Sequence, residues 1–172
     1  MKKQGFTLIE LMVVIVIMGI LAAVAVPKLF GMIAKSKASE VPTAAGTYVN
    51  LQDAYVVEAN AIGTWSQVGY TGPGTSSAGG TDGGVFAYKE TAPASGSQAG
   101  TTWKAEAKQK LNDCDKGGQW GLAVGIQGGE AEGQSNAVYA TGASSGCGDL
   151  TPSFNKLTSG RYSSMSVTVS GS

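Results

Sequence analysis

Residues 5–30 read GFTLIELMVVIVIMGILAAVAVPKLF, and a single acidic residue, Glu10, interrupts this most apolar stretch of the chain. Between Leu11 and Val26 no side chain is charged. As a helix, the 21 residues from Phe6 to Val26 would measure about 30 Å, the thickness of the hydrocarbon core of a bilayer. Two lysines precede the segment and favour an orientation with its start in the cytoplasm. The sequence therefore predicts a membrane-spanning helix with a carboxylate near its beginning.

A secretory signal peptide and a plain membrane anchor are two interpretations of this segment. The triplet Ala23–Ala25 before Pro27 fits a signal-peptidase site. Neither interpretation explains Glu10, because a carboxylate costs about 2.5–3.5 kcal/mol at the centre of a spanning helix and less near its edge. A cut between Gly5 and Phe6 would supply a partner, since the new α-amine lies one helical turn from the carboxylate. Such an ion pair, within one subunit or between neighbours, would fix the axial register of a helix bundle.

The same stretch closely resembles the N-terminus of bacterial type IV pilins and of their relatives, the pseudopilins of type II secretion systems. The resemblance implies that prepilin peptidase removes a short leader by cutting between Gly5 and Phe6, and then methylates the Phe6 amine. It implies that Glu10 guides assembly by pairing with the Phe6 amine of an adjacent subunit. It also implies that Pro27 bends the helix. The implied architecture is the type IV pilin fold, a long helix packed on an antiparallel sheet.

Beyond the apolar segment the predicted helix becomes amphipathic. Apolar residues recur at spacings of three, four or seven, as on one face of a helix: Val41, Ala45, Tyr48, Tyr55, Ala59 and Ile62. The opposite face is predicted to carry Lys35, Lys37, Glu40, Asn50, Gln52, Asp53 and Glu58. These patterns predict one helix from about Phe6 to about Asn60, which Pro27, Gly31 and Pro42 can bend or loosen. Its second half is expected to cross the sheet of the head, whereas its first half needs lipid or other subunits.

The C-terminal part is predicted to be a β-sheet head, so the fold class is α+β. A Gly-, Ser- and Thr-rich stretch at positions 69–84, GYTGPGTSSAGGTDGG, predicts a loop between the helix and the sheet. Five stretches have alternating or consecutive apolar residues, as β-strands do: Val85–Lys89, Trp103–Ala107, Trp120–Ile126, Ala137–Thr141 and Met165–Val169. The predicted divisions are a leader at 1–5, a transmembrane half-helix at 6–30, an amphipathic half-helix at 31–62, a loop at 63–84 and the head at 85–172.

The chain has two cysteines, Cys114 and Cys147. An even pair in an exported chain favours a disulfide, which would stabilise the fold by about 3–4 kcal/mol in the chain-entropy model. Two buried free thiols are the alternative. The region 114–147 resembles the disulfide-bounded region of type IV pilins. Because many major pseudopilins lack such a bridge, the pair favours a pilin.

Little in the composition supports catalysis or nucleic-acid binding. The formal net charge is zero, so no polyanionic partner is indicated. The chain has no histidine, which removes the commonest general base, and we expect no enzymatic activity. Asp113 and Asp115 are candidate calcium ligands, although no bidentate acid follows at a suitable spacing, and no other cofactor is expected. Trp65, Trp103 and Trp120 could stack on sugars if exposed, but packing in the core is the favoured interpretation.

The resemblance therefore predicts the major structural subunit of a type IV pilus, exported and polymerised into a helical filament on the bacterial surface. The expected partners are further copies of the chain, prepilin peptidase, the assembly platform in the inner membrane, and membrane lipid before assembly. A major pseudopilin of a type II secretion system is the first alternative. A secreted carbohydrate-binding module, released after Ala25, is an alternative of a different class. No motif in the head indicates whether the filament serves adhesion, twitching, secretion or DNA uptake.

Overall fold

The long N-terminal helix has two consecutive segments, α1 (Leu8–Ala38) and α2 (Glu40–Ala59), which meet at Ser39. They belong to a computed structural model that describes residues 5–91, 98–128, 135–158, 167 and 169. The helix packs on an antiparallel sheet, which confirms the predicted α+β class. Only α2 and the last part of α1 reach the sheet and its loops, because the first buried residue of α1 is Ala34.

The predicted long helix is present from Leu8 to Ala59, and its one interruption, at Ser39, lies near a proline that is predicted to bend or loosen it. Pro42, three residues later, has no N–H to donate to the carbonyl of Ala38. The Ser39 hydroxyl donates to the Ser36 carbonyl at 2.7 Å, and the Thr43 hydroxyl donates to the Ser39 carbonyl at 3.1 Å. Such back-bonding is a known cause of bent helices. The proline therefore acts on the turn before it, and it occupies the first turn of α2, where a missing N–H costs little.

The buried face of α2 follows helical spacing and comprises Val41, Ala44, Ala45, Tyr48, Gln52 and Val56. The predicted faces are wrong for two residues. Gln52, predicted on the polar face, is buried, and Ala59, predicted on the apolar face, is exposed. The chain turns back after Asn60, which adopts a left-handed conformation at φ 50°, and brings Gly63 against the helix. The Gln52 amide donates to the Gly63 carbonyl at 2.5 Å and to the Tyr48 hydroxyl at 2.8 Å, and its oxygen accepts from the Gly63 N–H at 3.2 Å. Gln52 thus closes the turn that follows α2.

A short helix and a β-hairpin replace the predicted loop at 63–84. The helix is α3 (Trp65–Val68), and the hairpin strands are β1 (Thr75–Ser77) and β2 (Gly80–Asp82). Gly79 turns the hairpin at φ 78°, and a Cβ on Gly80 would collide with the Tyr88 carbonyl of the next strand. The stretch therefore reads as a loop by composition, but its glycines allow the backbone to join the sheet edge.

Six strands of the described residues pair in chain order, each antiparallel to the next. After the hairpin come β3 (Phe86–Glu90), β4 (Gln98–Ala107), β5 (Gln119–Gly128) and β6 (Ser135–Ala143). The four predicted strands at 85–89, 103–107, 120–126 and 137–141 lie on these elements, which are longer in three cases. The fifth, Met165–Val169, lies outside the described residues except for Val167 and Val169. Two 3-10 helices follow β6, at Gly148–Leu150 and Phe154–Leu157.

Three tyrosine hydroxyls fasten α2 to the head. Tyr88 on β3 donates to the Glu40 carboxylate at 2.7 Å, and Tyr139 on β6 donates to the Asp53 carboxylate at 2.7 Å. Tyr70 donates to the Ala44 carbonyl at 3.2 Å. Burial raises the pKa of all three phenols, and the neighbouring carboxylates raise the pKa of Tyr88 and Tyr139 further. The hydroxyls therefore stay protonated donors at neutral pH, so the helix is fixed in register on the sheet.

Candidate assembly surface

The first half of α1 exposes almost all of its apolar side chains. The exposed fraction of the large ones between Phe6 and Ile33 ranges from 43% to 82%. Within α1 only Ala34 and Ala38 are buried. Among the described residues, the helix Leu8–Ala59 is long and apolar enough to cross a membrane. An apolar surface of this size on one element marks a contact with lipid or with another protein.

Glu10 lies at the N-terminal end of this surface and closes a capping box with Thr7. The Thr7 N–H and hydroxyl donate to Glu10 Oε2 at 2.8 and 2.5 Å, and the Glu10 N–H donates to Thr7 Oγ1 at 3.4 Å. The carboxylate is therefore held at the positive end of the helix dipole. Thr7 is not among the predicted site residues, although Thr-x-x-Glu before an apolar run is a capping signal that the sequence contains.

Phe6 and Glu10 line the same open recess of about 370 Å³ on the helix surface, together with Ile9, Val13 and Val14. Glu10 is the single polar residue in this lining. The two residues predicted to pair thus line one recess in the uncut chain, while the pairing itself stays a prediction. A positive group placed in this recess would meet a carboxylate surrounded by apolar walls.

The other two N-terminal site residues lie outside this recess. Gly5 is exposed and precedes the helix, in a segment without regular structure. Pro27 lies inside α1, which runs through it without a break in helical assignment. Bending at Pro27 therefore stays a prediction, as does cleavage next to Gly5.

Cys114 and Cys147 form the expected disulfide, which joins the β4–β5 connection to the segment after β6. Both cysteines are fully buried. A Cβ on Gly118 would collide with both sulfur atoms, so the bridge requires glycine at this position. The 3-10 helix Gly148–Leu150, which follows Cys147 directly, contacts α1. The bridge therefore stabilises the part of the head that contacts the C-terminal end of α1.

The two candidate calcium ligands flank Cys114, and both already have protein partners. The Asp115 carboxylate pairs with the Lys110 ammonium at 2.7 Å, and the Asp113 carboxylate accepts from the Asn112 amide at 2.7 Å. Asp115 raises the pKa of the Lys110 ammonium by hydrogen bonding and by its charge, so the lysine stays cationic. The described residues contain no group of three His, Cys, Asp or Glu side chains that could hold a metal ion. Calcium binding at Asp113 and Asp115 stays a prediction.

The three tryptophans are buried, which confirms the prediction that they pack in the core. Trp103 Nε1 donates to the Tyr70 hydroxyl at 3.0 Å, and Trp120 Nε1 donates to Thr151 Oγ1 at 2.8 Å. Trp65 stacks edge-on against Tyr70 with ring centroids 4.8 Å apart. None of the three can therefore serve as an exposed platform for a sugar ring.

Comparisons with known proteins agree with this arrangement. Residues 1–26 match the family model described as the prokaryotic N-terminal methylation motif. The chain is 37% identical over 102 residues to the type IV major fimbrial protein of Dichelobacter nodosus, covering 59% of this chain and 62% of that protein. It is 38% identical over 115 residues to the type IV narrow pilus major component of Thermus thermophilus, covering 67% of this chain and 81% of that protein.

A third relative is the type IV major pilin protein of Myxococcus xanthus, which is 44% identical over 69 residues. That match covers 36% of this chain and 31% of the relative. The chain thus spans less than two thirds of the length of the Dichelobacter and Myxococcus proteins. No solved structure matches the chain.

Proposed function

The chain belongs to the type IV pilin family, and from this we propose that it is the major subunit of a bacterial type IV pilus. Like its relatives, it is a structural subunit and not an enzyme. The observation that carries the proposal is the bare apolar half of α1, with Glu10 held at its N-terminus. Such a surface is incomplete in a single copy, and identical surfaces packed around a helical axis would complete it.

Processing by prepilin peptidase between Gly5 and Phe6 is the first step of the proposal. The methylation motif over residues 1–26 supports it. Gly5 and Phe6 are exposed and precede the N-cap residue Thr7, whose backbone is extended at φ −80° and ψ 148°. A peptidase needs an accessible bond outside regular structure, and the exposed bond after Gly5, which precedes the helix, fits this requirement. The cut would create a cationic amine beside the recess that Glu10 lines.

Pairing of Glu10 with the Phe6 amine of a neighbouring subunit is the second step. Both capping bonds use Glu10 Oε2, and among the described residues no hydrogen bond reaches Oε1. One oxygen can therefore keep the cap while the other accepts an incoming ammonium. In an apolar bundle an unpaired amine costs several kcal/mol, so only the axial register that pairs the charges is favourable.

The transfer of the half-helix from membrane to filament is the third step. Lipid tails are as apolar as the neighbouring helices, so this exchange gains little hydrophobic free energy. Release of a single copy into water would instead expose the whole half-helix, at a cost of tens of kcal/mol by area. We therefore infer that the precursor waits in the inner membrane and that an assembly platform there inserts it into the base of a growing extracellular filament.

Mass spectrometry of the mature N-terminus tests this proposal, on material sheared from cells and on the membrane fraction. We expect a chain that begins at methylated Phe6 in both fractions. Recovery in the sheared fraction supports a surface pilus, whereas restriction to the membrane would point to a pseudopilin. A chain that begins at Val26 would contradict the proposal, because Glu10 would then belong to a discarded signal peptide.

A further inference from the structure

A recess of about 180 Å³ lies where the apolar half of α1 meets the base of the head. The helix contributes Phe30, Ile33 and Lys37, and the head contributes Lys110, Leu111 and Asn112. The lining is therefore apolar where it continues the exposed surface of α1, and it includes two lysine side chains. Leu111 and Ala34, which also lines the recess, belong to the core of the head, whereas the proposed pairing at Glu10 does not involve the recess.

The position of the recess relative to the membrane follows from the length of the apolar segment. If the charged Glu10 stands at the cytoplasmic boundary of the hydrocarbon, the 20 residues from Leu11 to Phe30 span about 30 Å and place Phe30 at the outer boundary. Ile33 and Lys37 then lie roughly 5–10 Å beyond it, at the level of the lipid headgroups. Helical side chains tilt toward the N-terminus, so the Lys37 ammonium reaches back toward the membrane.

The charge around the recess is positive on the helix side. Between Glu10 and Glu40 the helix carries three lysines, Lys28, Lys35 and Lys37, and no acidic residue. None of the three forms an ion pair with another described residue. Lysines are usually favoured on the cytoplasmic side of a membrane segment rather than at its outer end. The orientation rule therefore does not explain these three lysines.

On the head side, Lys110 is paired with Asp115, and both side chains are more than 60% exposed. An exposed pair of this kind contributes little free energy, and the ammonium has three donors. Lys110 can therefore contact a second anion without losing Asp115. Counting Lys28, Lys35, Lys37 and Lys110 against Asp113 and Asp115, the junction has an excess of two positive charges.

We infer that this recess binds the phosphate headgroup of an anionic phospholipid from the outer leaflet of the membrane before assembly. The ammonium groups of Lys37 and Lys110 contact the phosphate, while Phe30 and Ile33 contact the glycerol and the first acyl carbons. One bound lipid would hold the head at a fixed height above the bilayer. This inference rests on the proposed function only in that it requires the membrane-inserted precursor, and it requires neither cleavage nor a filament.

The test uses the full chain in nanodiscs that contain equal amounts of phosphatidylcholine and phosphatidylglycerol, followed by native mass spectrometry of the lipids that remain bound. A Lys37→Gln/Lys110→Gln variant is compared with Lys104→Gln/Lys156→Gln, which removes the same charge elsewhere on the head. We expect phosphatidylglycerol to be enriched on the wild-type chain, and the enrichment to fall by about five- to tenfold in the first variant. The second variant should retain it.

The proposal is overturned if the wild-type chain shows no preference for phosphatidylglycerol, or if both variants lose the preference equally. It is also overturned if inorganic phosphate abolishes the preference, because the site would then recognise a free anion rather than a lipid. Crosslinking of Ile33→Cys, an exposed position of the recess, to a second copy in the unassembled membrane fraction would overturn the proposal by showing that another subunit covers the recess. These outcomes are independent of the N-terminal mass and of filament yield, which test the proposed function separately.

Discussion

The two halves of the long helix meet opposite surroundings in one molecule. In the apolar half, from Phe6 to Ile33, the large side chains are exposed, and only Glu10 and Lys28 carry charge. In α2, one face is buried against the sheet, and three tyrosine hydroxyls hold it there. Buried polar side-chain atoms of the described residues have partners, with two exceptions, Trp65 Nε1 and Thr81 Oγ1.

This difference indicates a division of tasks along the helix. The head is complete in one copy, so changes within it should alter the free energy of unfolding. The apolar half is complete only in lipid or in a filament, so changes there should alter assembly and leave the head intact. The following predictions test this division on the full chain in non-ionic detergent, ordered by their expected effect on the stability of the head.

Replacement of Trp120 by Ala should have the largest effect. Trp120 is fully buried, contacts Phe86 edge-on at a centroid distance of 5.5 Å, and donates to Thr151 Oγ1. We expect the free energy of unfolding to fall by about 3–5 kcal/mol, measured by urea denaturation with circular dichroism. Val57→Ala, which truncates an exposed side chain of α2, is the control and should change it by less than about 0.5 kcal/mol. Equal effects would show that burial in the head does not determine its stability.

Removal of the disulfide should follow closely. The variant Cys114→Ser/Cys147→Ser loses a bridge between residues 33 positions apart, and we expect a loss of about 3–4 kcal/mol. The wild-type chain under reducing conditions should have the same free energy of unfolding as the variant, since both lack the disulfide. Agreement between oxidised and reduced wild-type chain would contradict the bracing role of the bridge at the base of the head.

Alkaline pH should weaken the head through its buried tyrosines. Burial raises the pKa of Tyr70 to about 12 against a partly opposing hydrogen bond from Trp103. Between pH 10 and 12 the unfolded chain releases this proton while the folded chain keeps it, so stability falls as pH rises, by up to about 2–3 kcal/mol. Tyr70→Phe should be less stable at neutral pH, because Trp103 Nε1 loses its acceptor, but its stability should fall less steeply above pH 10. An unchanged slope would exclude Tyr70 as a source of the effect.

The sequence predicts the elements whose signal is local. The apolar segment, the exceptional carboxylate of Glu10 within it and the four central strands are predicted from spacing and composition. The sequence places Gln52 on the polar face, because its acceptor, Gly63, comes into contact only when the chain turns back at Asn60. Composition predicts a loop where the hairpin β1–β2 lies, because these strands lack alternation and pair with the edge of β3. Contacts that depend on tertiary structure therefore leave no local signal in the sequence.

The functional part of the molecule divides in the same way. Glu10 is conspicuous in the sequence because it violates the apolar pattern, whereas the recess at Lys37 and Lys110 joins residues 73 positions apart. A charge in an apolar run can be detected by one-dimensional pattern alone. A site that joins a helix to a distant loop requires the fold, so composition gave no sign of it.

Replacement of Glu10 should have the smallest effect on the head and a large effect on the filament. Glu10→Ala leaves every contact of the sheet intact, so the free energy of unfolding of the head should change by less than about 0.5 kcal/mol, and membrane insertion should persist. An unpaired Phe6 amine in the apolar bundle would cost about 3–5 kcal/mol per subunit, so the yield of sheared filaments should collapse.

Two further variants separate the cap from the charge. Thr7→Ala loses the cap but keeps the carboxylate, and should retain filaments, whereas Glu10→Gln can still accept the Thr7 bonds but is neutral, and should not. Filaments at normal yield from Glu10→Gln would mean that the residue acts as a helix cap, and that apolar packing alone sets the register of the assembled helices.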